Sequence, residues 1–194
     1  MARTLAVFAT RIYRTELPVD DGLVKVCLTT ARDDLAGQRW AKAHNYRGYT
    51  SYASLNDLPA RYPEIAGLKA KIDRHVKRFA RELQFARTKL DLDSLWINAM
   101  EPGGVHGGHI HPHSAISGTY YVALPKGAGT IRFEDPRLPL MMAAPMKREN
   151  ARDKPFLTLV PKPGTLLLWE SWLRHDVPQT GGRGRRISIS FNYS

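Results

Sequence analysis

Gly107-Gly108-His109-Ile110-His111-Pro112-His113 sets three imidazoles at alternate positions within seven residues. It runs into an aromatic, β-branched segment, Ile116-Ser-Gly-Thr-Tyr-Tyr-Val-Ala-Leu124. On an extended strand residues i and i+2 point to one face, so His109 and His111 can aim two nitrogens at one point, as a divalent metal requires. The alternative register, His111 with His113, is disfavoured by Pro112, which restricts the residue before it and offers no ladder donor. Four histidines between His106 and His113 are hard to explain by packing, because each neutral imidazole brings a donor and an acceptor to satisfy. A third ligand must come from elsewhere, and His175, in Trp172-Leu-Arg-His-Asp-Val177, is the candidate. Two histidines on one strand and a distant third is the spacing of a metal site inside a β-barrel.

Downstream, Pro163-Gly164 makes a turn and Thr165-Leu-Leu-Leu-Trp169 a buried strand. Arg186 opens a final strand that alternates cleanly: Ile187, Ile189 and Phe191 on one face, Arg186, Ser188, Ser190 and Asn192 on the other. That polar face is unsuited to an apolar core. It suits a barrel interior that holds a small dicarboxylate, with the Arg186 guanidinium forked onto one carboxylate and Ser188 adding a hydroxyl. A solvent-facing edge strand is the plainer alternative.

Further strands are expected at Leu90–Met100, Ile116–Leu124, Thr130–Phe133 and Phe156–Val160, separated by turn chemistry at Pro102-Gly-Gly, Lys126-Gly-Ala-Gly, Asp135-Pro and Lys162-Pro-Gly. Residues 135–155, rich in Pro, Met and charge, read as a long insertion. Pro63 opens the clearest helix, in which Ile65, Leu68, Ile72, Val76, Phe79 and Leu83 recur at steps of three and four. Its other face, with Lys69, Lys71, Arg74, Lys77, Arg78 and Arg81, reads as a solvated basic surface. Residues 4–16 read as an edge strand, and Leu23 to Leu28 fits either a helix or a strand. Residues 29–60, with Trp40, Tyr46, Tyr49 and Tyr52 in no clear period, read as a long packed loop and a candidate lid. Helix first and strands after predicts a mainly β core with covering α-helices. A single domain over 1–194 follows, with a strand, loop and covering helix in 1–88 and the β core in 89–194.

A chain of 194 residues, 43% hydrophobic, can build one sizeable core. Its 29 Lys and Arg against 18 acidic residues give a formal charge of +11, interspersed and densest at Arg183-Gly-Arg-Arg186. That favours anionic small molecules or polyanions. Nucleic acid is possible but not favoured, since the basic helix lacks the interleaved aromatics of a single-strand binder. The one cysteine, Cys27, permits no internal disulfide, so a reducing, cytoplasmic setting is expected. No apolar run approaches the ~18–20 residues of a membrane span, so no membrane partner is expected. The N-terminus has the arginines of a transit peptide but no apolar signal core, and reads as part of the fold.

From about residue 94 to its C-terminus the chain resembles the Fe(II)/2-oxoglutarate-dependent oxygenases, and among them a bacterial and phage branch. The matching pieces are Trp96-Ile-Asn98, His109-Ile-His111, Ser117-Gly-Thr-Tyr-Tyr-Val122, Pro163-Gly-Thr-Leu-Leu-Leu-Trp169, His175-Asp-Val and Arg186-Ile-Ser188. The resemblance implies a double-stranded β-helix, a jelly-roll and cupin-like core with the metal at its open end. It implies Fe(II) and 2-oxoglutarate as cofactors, and decarboxylation of 2-oxoglutarate coupled through O₂ to oxidation, as hydroxylation, of an unidentified second substrate. It makes His109 and His175 iron ligands, Arg186 with Ser188 the anchor of the far carboxylate, Tyr121 a hydroxyl donor to it and Asn98 a further contact. One position departs from the pattern. The facial triad usually has Asp or Glu two residues after the first histidine, and here that residue is His111. Either His111 is a third imidazole ligand, or Asp176 or Glu134 supplies an oxygen from another strand, or the position is open.

The nearest rival is a cupin-type metal-binding enzyme of another class. Gly103, five residues on to His109-x-His111, fits the opening of a cupin motif, but no glutamate follows in 114–116, and eleven residues separate Gly164 from His175. A basic nucleic-acid-binding module accounts for the charge but not for Arg186 and Ser188 sharing a face. His44 and His75 lie outside the β half and are not expected to ligate.

Overall fold

The period-two segments pair into two antiparallel sheets in the computed structural model of the chain, which describes residues 2–137, 142–143, 145–151, 154–179 and 181–194. The larger sheet has six strands in the order β1 (Ile12–Glu16), β8 (Thr165–Glu170), β5 (Ile116–Ala123), β10 (Arg186–Tyr193), β3 (Leu92–Met100) and β2 (Gly48–Thr50). The smaller has four: β4 (His106–His109), β9 (His175–Val177), β6 (Ile131–Glu134) and β7 (Phe156–Leu159). This is the expected jelly-roll, a mainly β core with helices on one side.

β10 sits inside the larger sheet, paired with β3 from Arg186↔Met100 to Tyr193↔Leu92 and with β5 on its other edge. Both of its faces are therefore buried, and they differ in chemistry. Ile187, Ile189 and Phe191 point into an outer core shared with the helices. Arg186, Ser188 and Ser190 point inward, toward the smaller sheet. Beside them Tyr121, Ile131, Phe133, Leu167, Trp169 and Leu173 fill the space between the sheets.

The outer core is covered by α1 (Asp21–Asp33) and α4 (Pro63–Glu82). In α4 Pro63 starts the helix with its φ already set and no amide hydrogen to lose. Ile65, Leu68, Ile72, Val76 and Phe79 are all buried, each contributing about 1.5–3 kcal/mol over an exposed position. The helix stops in a Schellman motif, with the Phe85 amide donating to Ala80 O (3.0 Å) and Gln84 in the left-handed region at φ 60°. Lys69–Asp73 (2.8 Å) and Arg78–Glu82 (3.0 Å) pair along its exposed side, as a solvated basic face should.

Two expectations for the N-terminal part are corrected and one left open is decided. The first strand begins at Ile12 rather than residue 4, its pairing with β8 running from Ile12↔Trp169 to Glu16↔Thr165. The Leu23 to Leu28 run is helical, capped at Asp20, whose carboxylate accepts from the Gly22 amide (2.8 Å). Residues 29–60 are not a loop. They hold the end of α1, then α2 (Leu35–Ala43), β2 and α3 (Leu58–Arg61). Asp34 joins α1 to α2: it accepts from the Gly37 amide (3.0 Å), from Tyr49 Oη (2.9 Å) and from Ser54 Oγ. Burial alone would raise its carboxyl pKa, but those hydrogen bonds hold it below the ordinary carboxylate value. Of the expected insertion at 135–155, residues 138–141, 144, 152 and 153 lie outside the described residues.

Candidate metal centre

β4 and β9 are adjacent in the smaller sheet, with His109 opposite His175. His111 follows β4 directly and is held by its amide, which donates to Ser171 O (3.0 Å). The three imidazoles thereby converge: one ring nitrogen from each of His109, His111 and His175 lies within 4.8 Å of the others. His111 Nε2 and His175 Nε2 are 3.4 Å apart. Two nitrogens each ~2.1 Å from one ion, at ~90–110° to each other, stand ~3.0–3.4 Å apart. The spacing suits a shared cation.

The other ring nitrogens fix the tautomers. His109 Nδ1 donates to Gly107 O (2.8 Å) and His175 Nδ1 to Leu173 O (2.9 Å). A carbonyl can only accept, so the proton sits on Nδ1 and each Nε2 keeps its lone pair free. Burial, reinforced by the neighbouring imidazoles, depresses the His175 pKa to about 3 and that of His111 to about 4. His109 is lowered too, chiefly by burial. Trp169 (4.6 Å, edge-on) and Phe133 (5.9 Å) wall the His175 ring. Neutral imidazoles with free lone pairs are what a divalent cation binds.

Neither alternative carboxylate joins this cluster. Asp176 alternates to the opposite side of β9 from His175 and takes a forked ion pair from Arg132 (2.6 Å). Glu134 pairs with Arg174 (3.0 Å). His113 is exposed, at φ 69°, and lies outside the cluster. Elsewhere His44 stacks on Trp40 and His75 shares a 2.8 Å hydrogen bond with Tyr13.

Next to the imidazoles lies an inner cavity lined by Arg186, Ser188, Tyr121 and Asn98. Arg186 is 4% exposed; it donates through Nη1 to Ser188 Oγ (3.2 Å) and its guanidinium lies 5.0 Å from the Tyr121 ring centre. Its Nε, the Tyr121 hydroxyl and Trp169 Nε1 are buried without hydrogen-bond partners, and all three residues line this cavity. Among the described residues no carboxylate pairs with Arg186. Buried donors are rarely left unpaired, so an anionic ligand with several acceptor oxygens fits the chemistry. Burial raises the Tyr121 pKa, partly offset by Arg186, so its hydroxyl keeps a proton to donate. Asn98 donates to Ser190 Oγ (3.3 Å) and accepts from Tyr46 Oη (3.4 Å).

His106 was not assigned to the site, and Tyr46 was expected only as part of a candidate lid. His106 stacks on His109 (4.4 Å) and meets Tyr46 edge-on (6.0 Å); both line the cavity. Strict alternation would send His106 and His109 to opposite faces. A register shift between them returns both to one side. Gly107-Gly108 was the available signal, since glycine pairs mark bulges and close approaches. A Cβ on Gly108 would lie 2.7 Å from the Arg174 guanidinium.

The family model described as "Putative 2OG-Fe(II) oxygenase" matches residues 94–192, just over half of the chain. The chain belongs to this family. It is accordingly an Fe(II)- and 2-oxoglutarate-dependent oxygenase, with 2-oxoglutarate and O₂ as cosubstrates. Among curated proteins none matches. Solved structures match over almost the whole length. The viral collagen prolyl hydroxylase vCPH of Paramecium Bursaria Chlorella virus-1, in its 2-oxoglutarate complex, is 11% identical, with a TM-score of 0.57 over 94% of each chain. A Pseudomonas putida prolyl-4-hydroxylase is 15% identical, with a TM-score of 0.56 over 95% of this chain and 92% of that one. HygX from Streptomyces hygroscopicus, solved with nickel and 2-oxoglutarate bound, is 14% identical, with a TM-score of 0.57 over 95% of this chain and 82% of its own. At these identities the likeness shows a shared fold. No helix among the described residues is long and apolar enough to cross a membrane.

Proposed function

We propose that His109, His111 and His175 hold Fe(II), and that Arg186, with Ser188 and Tyr121, anchors 2-oxoglutarate for the hydroxylation of a second substrate. One observation carries the reading: three neutral imidazoles from two distant stretches of chain share a cavity with a buried guanidinium that pairs with no carboxylate among the described residues. Bound iron and 2-oxoglutarate would supply the oxidising chemistry, coupling decarboxylation to succinate with oxidation of the substrate by O₂.

The protein's own residues do the rest. Carbonyls of Gly107 and Leu173 hold two of the imidazoles in the ligating tautomer. Trp169 and Phe133 keep water from His175. Arg186, in a low-dielectric wall, offers a fork to one carboxylate, and the protonated Tyr121 hydroxyl adds a donor beside it. Asn98, anchored by Ser190, orients whatever occupies the boundary of the cavity. The engagement of Asp176 and Glu134 with arginines supports a ligand set without a carboxylate. A cytoplasmic setting is part of the proposal, supported by the single buried thiol at Cys27. So is action as one domain, supported by β1 and β2 joining the larger sheet.

The test is metal content and succinate release. His175→Ala should lose iron while His113→Ala retains it, and iron-loaded wild type should convert labelled 2-oxoglutarate to succinate. Equal iron in wild type and His175→Ala would overturn the ligand assignment; absence of 2-oxoglutarate turnover would overturn the reaction.

A further inference from the structure

The imidazoles stand between two spaces of opposite character. The inner one holds Arg186. The outer one is a cleft of about 300 Å³ that shares Trp96, Asn98, His109 and His111 with it. Among the described residues no Asp, Glu, Lys or Arg lines the outer cleft, in a chain that is 24% charged. Its wall is a sequence of rings. Tyr52 meets Trp40 edge-on at 6.2 Å and Trp96 at 5.2 Å, and Trp96 lies 5.9 Å from His111. Tyr52 is 59% exposed and Trp96 5%, so the rings descend from the surface to a metal-facing imidazole.

The polar groups of the cleft are largely spoken for. Asn192 donates to Ser94 Oγ (3.1 Å) and accepts from Ser117 Oγ (2.8 Å), and Asn98 donates to Ser190 Oγ. What the cleft presents is aromatic face and edge, with Ile110 and Pro112 opposite. A charged group placed there would lose its water and gain no partner. The ring faces could attract a cation, but no acid among the described residues completes such a site and the net charge of +11 repels cations at long range. An apolar group gains both by burial and by contact with the rings.

We propose that the outer cleft seats the second substrate by an uncharged, C–H-rich group, a saturated ring or branched chain laid against Tyr52 and Trp96. Charged parts of that substrate stay outside. The proposal rests on the reading of the site as a 2-oxoglutarate oxygenase, and it gives a reason why the two ligands do not compete: a dicarboxylate finds a partner only at Arg186. From the stretch read as a candidate lid, Trp40, Tyr46 and Tyr52 line this cleft, and no described residue of the 135–155 insertion does.

Three probes of one shape test it: cyclohexanecarboxamide, cyclohexanecarboxylate and cyclohexylmethylammonium, titrated by saturation-transfer NMR into protein loaded with zinc(II) and 2-oxoglutarate. The amide should bind at least tenfold more tightly than either ion. Tyr52→Ala and Trp40→Ala, both at partly exposed positions, should each weaken it about three- to tenfold. Either ion binding as tightly as the amide, no binding of the amide, or wild-type affinity in both variants would overturn the proposal. A parallel titration of 2-oxoglutarate separates the two ideas. If 2-oxoglutarate binds and the amide does not, the cleft assignment fails alone. If the amide binds with the expected ranking and 2-oxoglutarate does not, the cleft assignment stands and the cosubstrate reading fails.

Discussion

Replacing Arg186 by methionine keeps most of the side-chain volume and removes the one formal charge among the described residues lining the inner cavity. Two effects of opposite sign should follow. Without ligand, Arg186 is 4% exposed, its Nε is unpaired and its Nη1 donates to Ser188 Oγ at 3.2 Å. A buried ion in that state costs the fold, and exchanging buried ionic groups for apolar ones of similar size can stabilise by about 1–4 kcal/mol. In a chain of this length each kcal/mol moves Tm by about 2–4 °C. With ligand, on the proposed reading, the guanidinium is the charged partner that the described residues of the inner cavity offer the cosubstrate. Removing one member of a buried, hydrogen-bonded charge pair costs about 2–5 kcal/mol, or roughly 30- to 4,000-fold in Kd. Arg186→Met should therefore melt several degrees higher than wild type when free of metal and ligand, yet bind 2-oxoglutarate at least thirtyfold more weakly. Scanning calorimetry and titration calorimetry on the zinc-loaded protein read the two quantities separately. A variant that melts lower and binds 2-oxoglutarate within threefold of wild type would make Arg186 a structural residue and remove the anchor from the site.

The fold offers two further checks. Gln84 closes α4 at φ 60°, where a side chain costs about 1–2 kcal/mol that glycine avoids, less the extra chain entropy glycine loses on folding. Gln84→Gly should raise stability by about 0.5–1 kcal/mol by urea unfolding, and a loss would mean that the side chain makes a contact worth more than the strain. Acidification should weaken the metal-free protein. His106 and His111 titrate near 4 and His175 near 3 in the fold, against an ordinary 6.5. Between those values the unfolded chain binds more protons, so this stability is complete above pH 6.5 and is lost as pH falls through the folded values. The urea midpoint should decline steadily from pH 7 to pH 4.5, and a flat midpoint over that window would contradict the buried, neutral assignment.

Where burial imposes a period, the sequence was readable. β10 alternates without a break because both of its faces are buried, one against α1 and α4 and one around the ligand cavity, and its start was placed at Arg186. α4 was equally plain, with a stripe of five buried side chains over twenty residues. Failure followed where the element is too short to show a period. α2 has nine residues and buries only Gly37 and Ala41, so no stripe emerges. β9 has three residues, and His175 was found by its neighbours in sequence rather than as part of a strand. Tyr46 reaches the site because β2 pairs with β3 across some fifty residues of chain, a juxtaposition no local pattern encodes. His106 was hidden by the bulge at the diglycine.

The absence of a carboxylate from the imidazole cluster bears on how metal and cosubstrate depend on each other. On the proposed reading, a divalent ion held by His109, His111 and His175 would meet three neutral rings, with the Arg186 charge lining the same cavity. Asp176 and Glu134 are turned to Arg132 and Arg174 and offer it little. The negative charge that a facial triad usually supplies from the protein must here come with the dicarboxylate. Binding of the two should therefore be strongly cooperative, and the coupling is reciprocal: 2-oxoglutarate tightens metal by the factor by which metal tightens 2-oxoglutarate, typically about 5- to 150-fold. His111→Asp moves one negative charge from ligand to protein. Metal affinity without 2-oxoglutarate should rise, and the further tightening on adding 2-oxoglutarate should shrink. Competition against a zinc indicator, with and without 2-oxoglutarate, gives both numbers for both proteins. Equal coupling in wild type and His111→Asp would show that charge is not what links the two ligands, and would shift the explanation to the order in which the cavity is filled.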